Sequence, residues 1–309
     1  MFPPCRAKRR SHPPARQHRL GGAGVGARHG TGGHSACRRG RDATRLFHRA
    51  IDLGVTFFDT APAYGEAHRK LRPVLAERRP EVLFATKAAV DTAVDAIANL
   101  EQSLQTLGVE QVDVAYVHNI GSRDVDRVLA EDGALAGLRE AQRRGLTRFV
   151  GVTGHNWPQQ TVGVIEAAPL DVVMLAMNYA DRYTYDLEDA ARPLAVDRGV
   201  GVVAMKVFGG ATGMQYDRPL PAALDDTGAA DYPAATRYAL GLAGLAGLAT
   251  AVIGTGSLQE LEQNVAMARG CAHGPVFAEA SSAAEAAGAG LIQAGRLLAD
   301  HWGEHFGPR

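Results

Sequence analysis

Lysine is almost absent from this chain. It occurs four times in 309 residues, at positions 8, 70, 87 and 206, and every other basic side chain except histidine is arginine. A lysine kept where arginine otherwise serves marks a task for a compact ammonium whose pKa its surroundings can adjust. Lys87 and Lys206, each near the end of a strand-like run, stand out for that reason. Cysteine is scarce too. Cys5, Cys37 and Cys271 are odd in number and irregularly spaced, which argues against a disulfide framework and for a reducing, cytoplasmic setting. No apolar run approaches the roughly 18 residues needed to span a bilayer, so no membrane segment is expected. Acidic residues are missing from residues 1–41, which hold ten Lys and Arg. The rest of the chain then carries 23 basic and 33 acidic side chains, a net of about −10. That balance speaks against nucleic-acid binding by the body of the protein.

Residues 1–41 also lack any helix or strand period. The apolar stretch of a secretory signal is missing, because Lys8-Arg9-Arg10 runs straight into Ser-His-Pro-Pro. His12, His18, His29, His34 and Cys37 have no metal-ligand spacing. The segment is read as disordered, or as an aberrant product of a shifted reading frame in a GC-rich gene. A single domain over 42–309 is expected after it, opening with a helix at Asp42-Ala43-Thr44 ahead of Leu46, Phe47 and Ala50.

From there strands and helices alternate. Strand candidates are 55–59, 82–87, 112–118, 148–153, 171–178, 200–207 and 250–254, each rich in Val, Phe, Leu or Met, as buried parallel strands are. Amphipathic stretches at Ala93–Leu107, Leu135–Arg144 and Leu187–Arg198 are each followed by a glycine, Gly108, Gly145 or Gly199, where a helix C-cap belongs. The run Gly-Gly-Ala-Gly-Val-Gly at 21–26 follows no strand and opens no helix, so it is rejected as a dinucleotide fingerprint. The fold class expected is α/β, a (β/α)8 barrel whose first strand is weak or disrupted, with Leu20–Gly26 as its remnant.

Three consecutive strand candidates end in ionisable side chains: Asp59, Lys87 and His118. Tyr64 follows Asp59 in the loop Ala61-Pro62-Ala63-Tyr64-Gly65-Glu66. A buried strand ends in a charge when that end has a polar task, and the C-terminal mouth of a barrel is where such tasks gather. Taken singly, Tyr64 packs a loop, Asp59 caps a helix, and Lys87 forms a structural ion pair. Taken together, the four point to one site.

These residues resemble a known family. Phe57-Phe58-Asp59-Thr60-Ala61-x-x-Tyr64-Gly65, then Thr86-Lys87, then Val117-His118-Asn119 are similar to the motifs of the aldo-keto reductases, in their order and at their spacing. The resemblance covers residues 43 to about 270. It implies an NAD(P)-dependent oxidoreductase that reduces a small aldehyde or ketone to an alcohol, with Tyr64 as proton donor. A free phenol titrates near pH 10 and is a poor donor at neutral pH, whereas a neighbouring ammonium favours the phenolate. In this reading Lys87 is that ammonium, Asp59 holds it, and His118 bonds the carbonyl oxygen.

The resemblance also implies cofactor positions. Thr153 stands where the family has a serine, while Gly154 cannot supply the asparagine amide beside it; His155 or Asn156 is the substitute. Met174 replaces a glutamine, and Asn178 keeps a polar group nearby. Met205 replaces a stacking aromatic, and Lys206 is a candidate for pyrophosphate or substrate. Gly254, Thr255 and Gly256 precede a helix whose N-terminus suits a phosphate, and Asn264 is a candidate adenine contact. Glu260 falls near the position that reads the ribose 2′ group, and a carboxylate there suits the hydroxyl of NAD(H). The family pattern implies NADP(H), which is favoured. Trp157, Tyr179, Tyr183 and Phe208 are candidate pocket walls, and residues 209–232 a loop over the mouth. A non-catalytic, nicotinamide-binding redox-sensing subunit is the alternative. A metal-dependent sugar isomerase is disfavoured, since the later strands end in Thr, Asn and Lys.

Overall fold

The computed structural model describes residues 25–28, 40–177, 187–207, 236, 239 and 248–271. Eight parallel strands form one sheet: β1 (Val25–Arg28), β2 (Phe57–Asp59), β3 (Leu83–Ala88), β4 (Val112–Val117), β5 (Thr147–Gly154), β6 (Val172–Ala176), β7 (Gly201–Met205) and β8 (Leu248–Gly254). Their order is β1-β8-β7-β6-β5-β4-β3-β2, and β1 also lies against β2, so the sheet curls into a nearly closed (β/α)8 barrel. The described residues of strands β2 to β8 are almost wholly buried, as a parallel sheet covered by helices requires.

The first strand differs from expectation in place. It begins at Val25 and pairs with β8 through Val25 opposite Ala251 and Arg28 opposite Gly254. It shares only Val25 and Gly26 with the anticipated Leu20–Gly26, and it lies within the 1–41 segment. Its four residues are Val-Gly-Ala-Arg, a composition with little β preference, so the pattern alone could not locate it.

Helices cover the outside: α1 (Gly40–Asp52), α2 (Ala67–Arg78), α3 (Ala93–Leu107), α4 (Val125–Leu129), α5 (Ala134–Arg143), α6 (Pro158–Ala167), α7 (Leu187–Ala190), α8 (Arg192–Asp197) and α9 (Leu258–Cys271). Local chemistry sets their ends. Thr92 caps α3 by accepting the Asp95 N–H at 3.2 Å. Gly108, Gly145 and Gly199 all take positive φ, the left-handed turn that stops a helix and that a side chain would resist. The stretch expected as one helix over 187–198 is two short ones, with Pro193 opening the second.

The N-terminal end of the barrel is held by carboxylates. Asp113 accepts the Phe84 N–H at 2.8 Å and pairs with Arg79 and Arg148, both at 2.8 Å. Asp171 accepts the Val150 N–H at 2.8 Å and pairs with Arg139 at 2.7 Å. In each case an aspartate at a strand start ties down a backbone donor of the preceding strand, leaving the opposite rim for chemistry. Among the described residues no helix is long and apolar enough to cross a membrane.

Candidate active site

Register brings the polar strand ends to one rim. Asp59 lies opposite Ala85, Lys87 opposite Tyr116, and Ala88 opposite Val117, the residue before His118. Lys87 and Asp59 are 1% and 2% exposed and form a direct ion pair. The Lys87 ammonium also donates to the Thr60 carbonyl at 2.9 Å. A buried cation and anion persist only when paired, and here the ammonium is held by a second hydrogen bond besides the ion pair.

Tyr64 reaches the pair from the β2–α2 loop, which is turned back by Tyr64 N–H bonding the Ala61 carbonyl at 3.0 Å. Lys87 Nζ lies 5.1 Å from the centroid of the Tyr64 ring. The His118 ring meets the same phenol edge-on, with centroids 6.2 Å apart and planes at 83°. Tyr64 and His118 are half-buried, Lys87 and Asp59 fully buried. The four residues therefore form a cation and its counter-ion beneath, with a phenol and an imidazole above, open enough to be met by a small molecule. His155 extends the row, its ring 5.5 Å from that of His118. A second tyrosine nearby, Tyr116, is not an alternative acid. Burial first, and then the Asp59 charge, push its phenol well above the ordinary value.

The other positions named from the sequence divide. Thr153 is buried, and its hydroxyl accepts the Asn119 N–H at 2.8 Å, bracing the turn after β4. Gly154 has a packing reason: a Cβ there would stand 2.7 Å from Thr161 Oγ1 on α6. Asn156 is buried against Gly121, whose added Cβ would meet Asn156 Oδ1 at 2.2 Å, so its amide lies in the wall beside the 120–122 turn. Of the two candidate substitutes, His155 is the one whose ring lies beside the His118 imidazole. Met174, in the middle of β6, and Met205, the last residue of β7, are fully buried. Asn119, Trp157 and Lys206 all have positive φ and all follow the C-terminal ends of strands, β4, β5 and β7. Non-glycine residues in that region carry strain, and such strain gathers at functional rims. Asn178, Tyr179, Tyr183, Phe208 and the 209–232 loop lie outside the described residues.

The β8–α9 turn holds a feature not read from the sequence. Glu260 Oε2 accepts the Gly256 N–H at 2.7 Å, and Ser257 Oγ accepts the Glu260 N–H at 3.2 Å. This is a capping arrangement, and Ser257-Leu258-Gln259-Glu260 carries its Ser-x-x-Glu signature. Asn264 and Thr255 are both buried and bond each other at 3.3 Å, so Asn264 braces the turn from inside. Among the described residues no group of three His, Cys, Asp or Glu is placed to hold a metal ion.

The sequence model of the Aldo/keto reductase family matches residues 24–229, from just before β1 into the connection between β7 and β8. The chain belongs to the aldo/keto reductase family. Among the family's members it is 27% identical to L-galactose dehydrogenase of Arabidopsis thaliana over 178 residues, 53% of this chain and 54% of that one. It is 30% identical to L-glyceraldehyde 3-phosphate reductase of Escherichia coli over 139 residues, 39% of this chain and 38% of the other. The chain thus spans about half the length of these relatives or less. An aldo/keto reductase of Klebsiella pneumoniae, solved with NADP and acetate, shares the fold with a TM-score of 0.61 at 18% identity, over 84% of this chain and 90% of that one. The four polar residues of the rim come from β2, the following loop, β3 and the residue just past β4.

Proposed function

We propose that this aldo/keto reductase reduces an aldehyde or ketone to an alcohol with a nicotinamide cofactor, Tyr64 giving the proton. The single observation that carries the reading is the Lys87 ammonium, paired with buried Asp59 and 5.1 Å from the Tyr64 ring. In this mechanism the Tyr64 phenol donates its proton to the carbonyl oxygen as negative charge develops there. Lys87 stabilises the phenolate that remains, and Asp59 keeps Lys87 charged and in place. His118 bonds the same oxygen and sets the angle at which the carbonyl sits. His155, beside His118, offers a further hydrogen bond and suits a substrate that carries hydroxyls. The relatives named above, L-galactose dehydrogenase and L-glyceraldehyde 3-phosphate reductase, agree with that choice.

The residues fit a nicotinamide cofactor in their chemistry. Tyr64, Lys87 and His118 supply a proton and hydrogen bonds, and none of them can supply hydride. A nicotinamide, when bound, would supply that hydride. Thr153, Asn178 and Lys206 are the residues proposed to bind the cofactor's nicotinamide and pyrophosphate, and Gly254, Thr255, Gly256 and Asn264 those proposed to hold the adenosine end. NADP(H) is the proposed cofactor, with NAD(H) the competitor because of Glu260.

The test is steady-state oxidation of NADPH and of NADH with glyceraldehyde, comparing the wild type with Tyr64→Phe. Loss of about 10²- to 10⁴-fold in kcat is the expected outcome for a missing proton donor. Cofactor binding without turnover that depends on Tyr64 would instead support the redox-sensing subunit.

A further inference from the structure

The helix after the catalytic loop carries a buried histidine that the mechanism above does not use. His68 lies in the first turn of α2 and is 5% exposed. Its Nε2 is 3.2 Å from Thr86 Oγ1, which is itself buried. Successive residues on a strand face opposite ways. Lys87 faces Asp59, so Thr86 turns outward, against α2, where His68 meets it.

The position of this bond gives it a consequence. His68 is four residues beyond Tyr64, and Thr86 is one residue before Lys87. The backbone between Tyr64 and His68 is already turned, Ala67 N–H bonding the Tyr64 carbonyl at 3.3 Å. The bond therefore ties the unit that carries the phenol to the strand that carries the ammonium, across a short and stiff path. We infer that His68 is a positioning residue that, through Thr86, fixes the separation of Tyr64 from Lys87. The inference rests on Tyr64 and Lys87 acting together as proposed.

The charge state of the imidazole agrees with this role. Burial, and then the Lys87 charge, hold the His68 pKa down to about 4. A neutral ring bonds Thr86 without adding a second positive charge near Lys87. His68 also lines a cleft of about 190 Å³ with Pro62, Gly65, Glu66, Arg69, Asn99 and Ser103.

The experiment uses the full chain and four variants. His68→Leu keeps volume and removes the bond, Thr86→Val does the same from the other side, the two are combined, and His68→Gln restores a hydrogen-bonding atom at similar reach. Small displacements of a catalytic group cost up to about 100-fold, so His68→Leu and Thr86→Val are each expected to lower kcat by about 10- to 100-fold, with KM within about 3-fold. His68→Gln is expected to recover kcat to within about 3-fold, and the double variant to be no worse than either single, since both remove one bond. Unchanged kcat in His68→Leu, fully additive losses, or no recovery with glutamine would overturn the inference. A purely structural histidine would lower melting temperature without that split between kcat and KM.

A second readout does not depend on turnover. In the chain labelled on its tyrosine rings, the Tyr64 NMR signal, assigned through Tyr64→Phe, is expected to shift in His68→Leu and Thr86→Val and to stay in His68→Gln. A Tyr64 signal that ignores all three sinks the inference even if the reductase reading holds. A signal that moves as expected in a chain without turnover sinks the reductase reading and leaves the positioning role standing.

Discussion

Asp59 and Lys87 illustrate how a buried ion pair constrains substitution. Removing one partner leaves the other charge in the barrel interior, a loss of about 3–5 kcal/mol. Lys87→Met is therefore expected both to abolish turnover and to lower chemical-denaturation stability by that order, whereas Tyr64→Phe should abolish turnover at nearly unchanged stability. A Lys87→Met chain as stable as wild type would contradict the burial of Asp59. His68 supplies a pH dependence of stability. Its ordinary pKa is about 6.5 and its folded value about 4, so between those values the unfolded chain binds the extra proton. Stability from this group is full above about pH 6.5, is lost as pH falls toward 4, and amounts to at most about 3 kcal/mol. Urea midpoints measured from pH 7 to 4 should fall in the wild type and fall less in His68→Gln. At this scale Asp59, Tyr64, Lys87 and His118 were legible because a charge or phenol at a strand end conflicts with burial. His68 was not singled out, although it precedes Leu71 and Leu75 at helical spacing on the buried face of α2. A histidine on an apolar stripe looks like ordinary core until its partner on another element is known.

Elements explain the residues that departed from the family pattern. Gly154 reads in the sequence as a missing amide, but in the barrel it leaves room for Thr161 of α6 to pack on β5. Gly154→Asn should thus fail to restore a nicotinamide contact and should destabilise the fold by displacing Thr161, measured as a lower melting temperature with no gain in cofactor affinity. Glu260 was read as a possible partner of the ribose, while its carboxylate serves the N-terminus of α9 through Gly256. The charge remains at that turn in either case. Glu260→Gln keeps an acceptor for Gly256 and removes the charge, so NADPH should bind about 3- to 10-fold more tightly relative to NADH, a change on the order of 1 kcal/mol, as one helix-terminal charge contributes. Fluorescence titration with both cofactors checks this, and an unchanged ratio would place Glu260 outside the cofactor's field. The capping signature was present in the sequence and was passed over because one residue was asked to serve a ligand before it had served its helix.

At the scale of the whole molecule, the barrel depends on its least regular strand. Alternating strands and helices, glycine C-caps and polar strand ends made the (β/α)8 class legible from 42 onward. The first strand was not, because Val25–Arg28 has no apolar run and sits within a basic, proline-containing stretch that resembles no ordered element. Pairing with β8 and packing against β2 define it instead, and the pairing with β8 brings together residues more than 200 positions apart. We expect the barrel domain to begin at β1. Without it, β8 and β2 would each present an open edge of unpaired backbone groups, which invites association with other chains. Deleting residues 1–23 is therefore expected to leave the thermal midpoint within about 2 °C, while deleting residues 1–28 should lower it by about 10 °C, the shift that a few kcal/mol produces in a chain of this size. Light scattering should show the shorter protein self-associating at concentrations where the longer one stays monodisperse. Equal midpoints and equal scattering would mean that β1 contributes nothing to closure, and that the boundary near residue 42 read from composition is the true start of the domain.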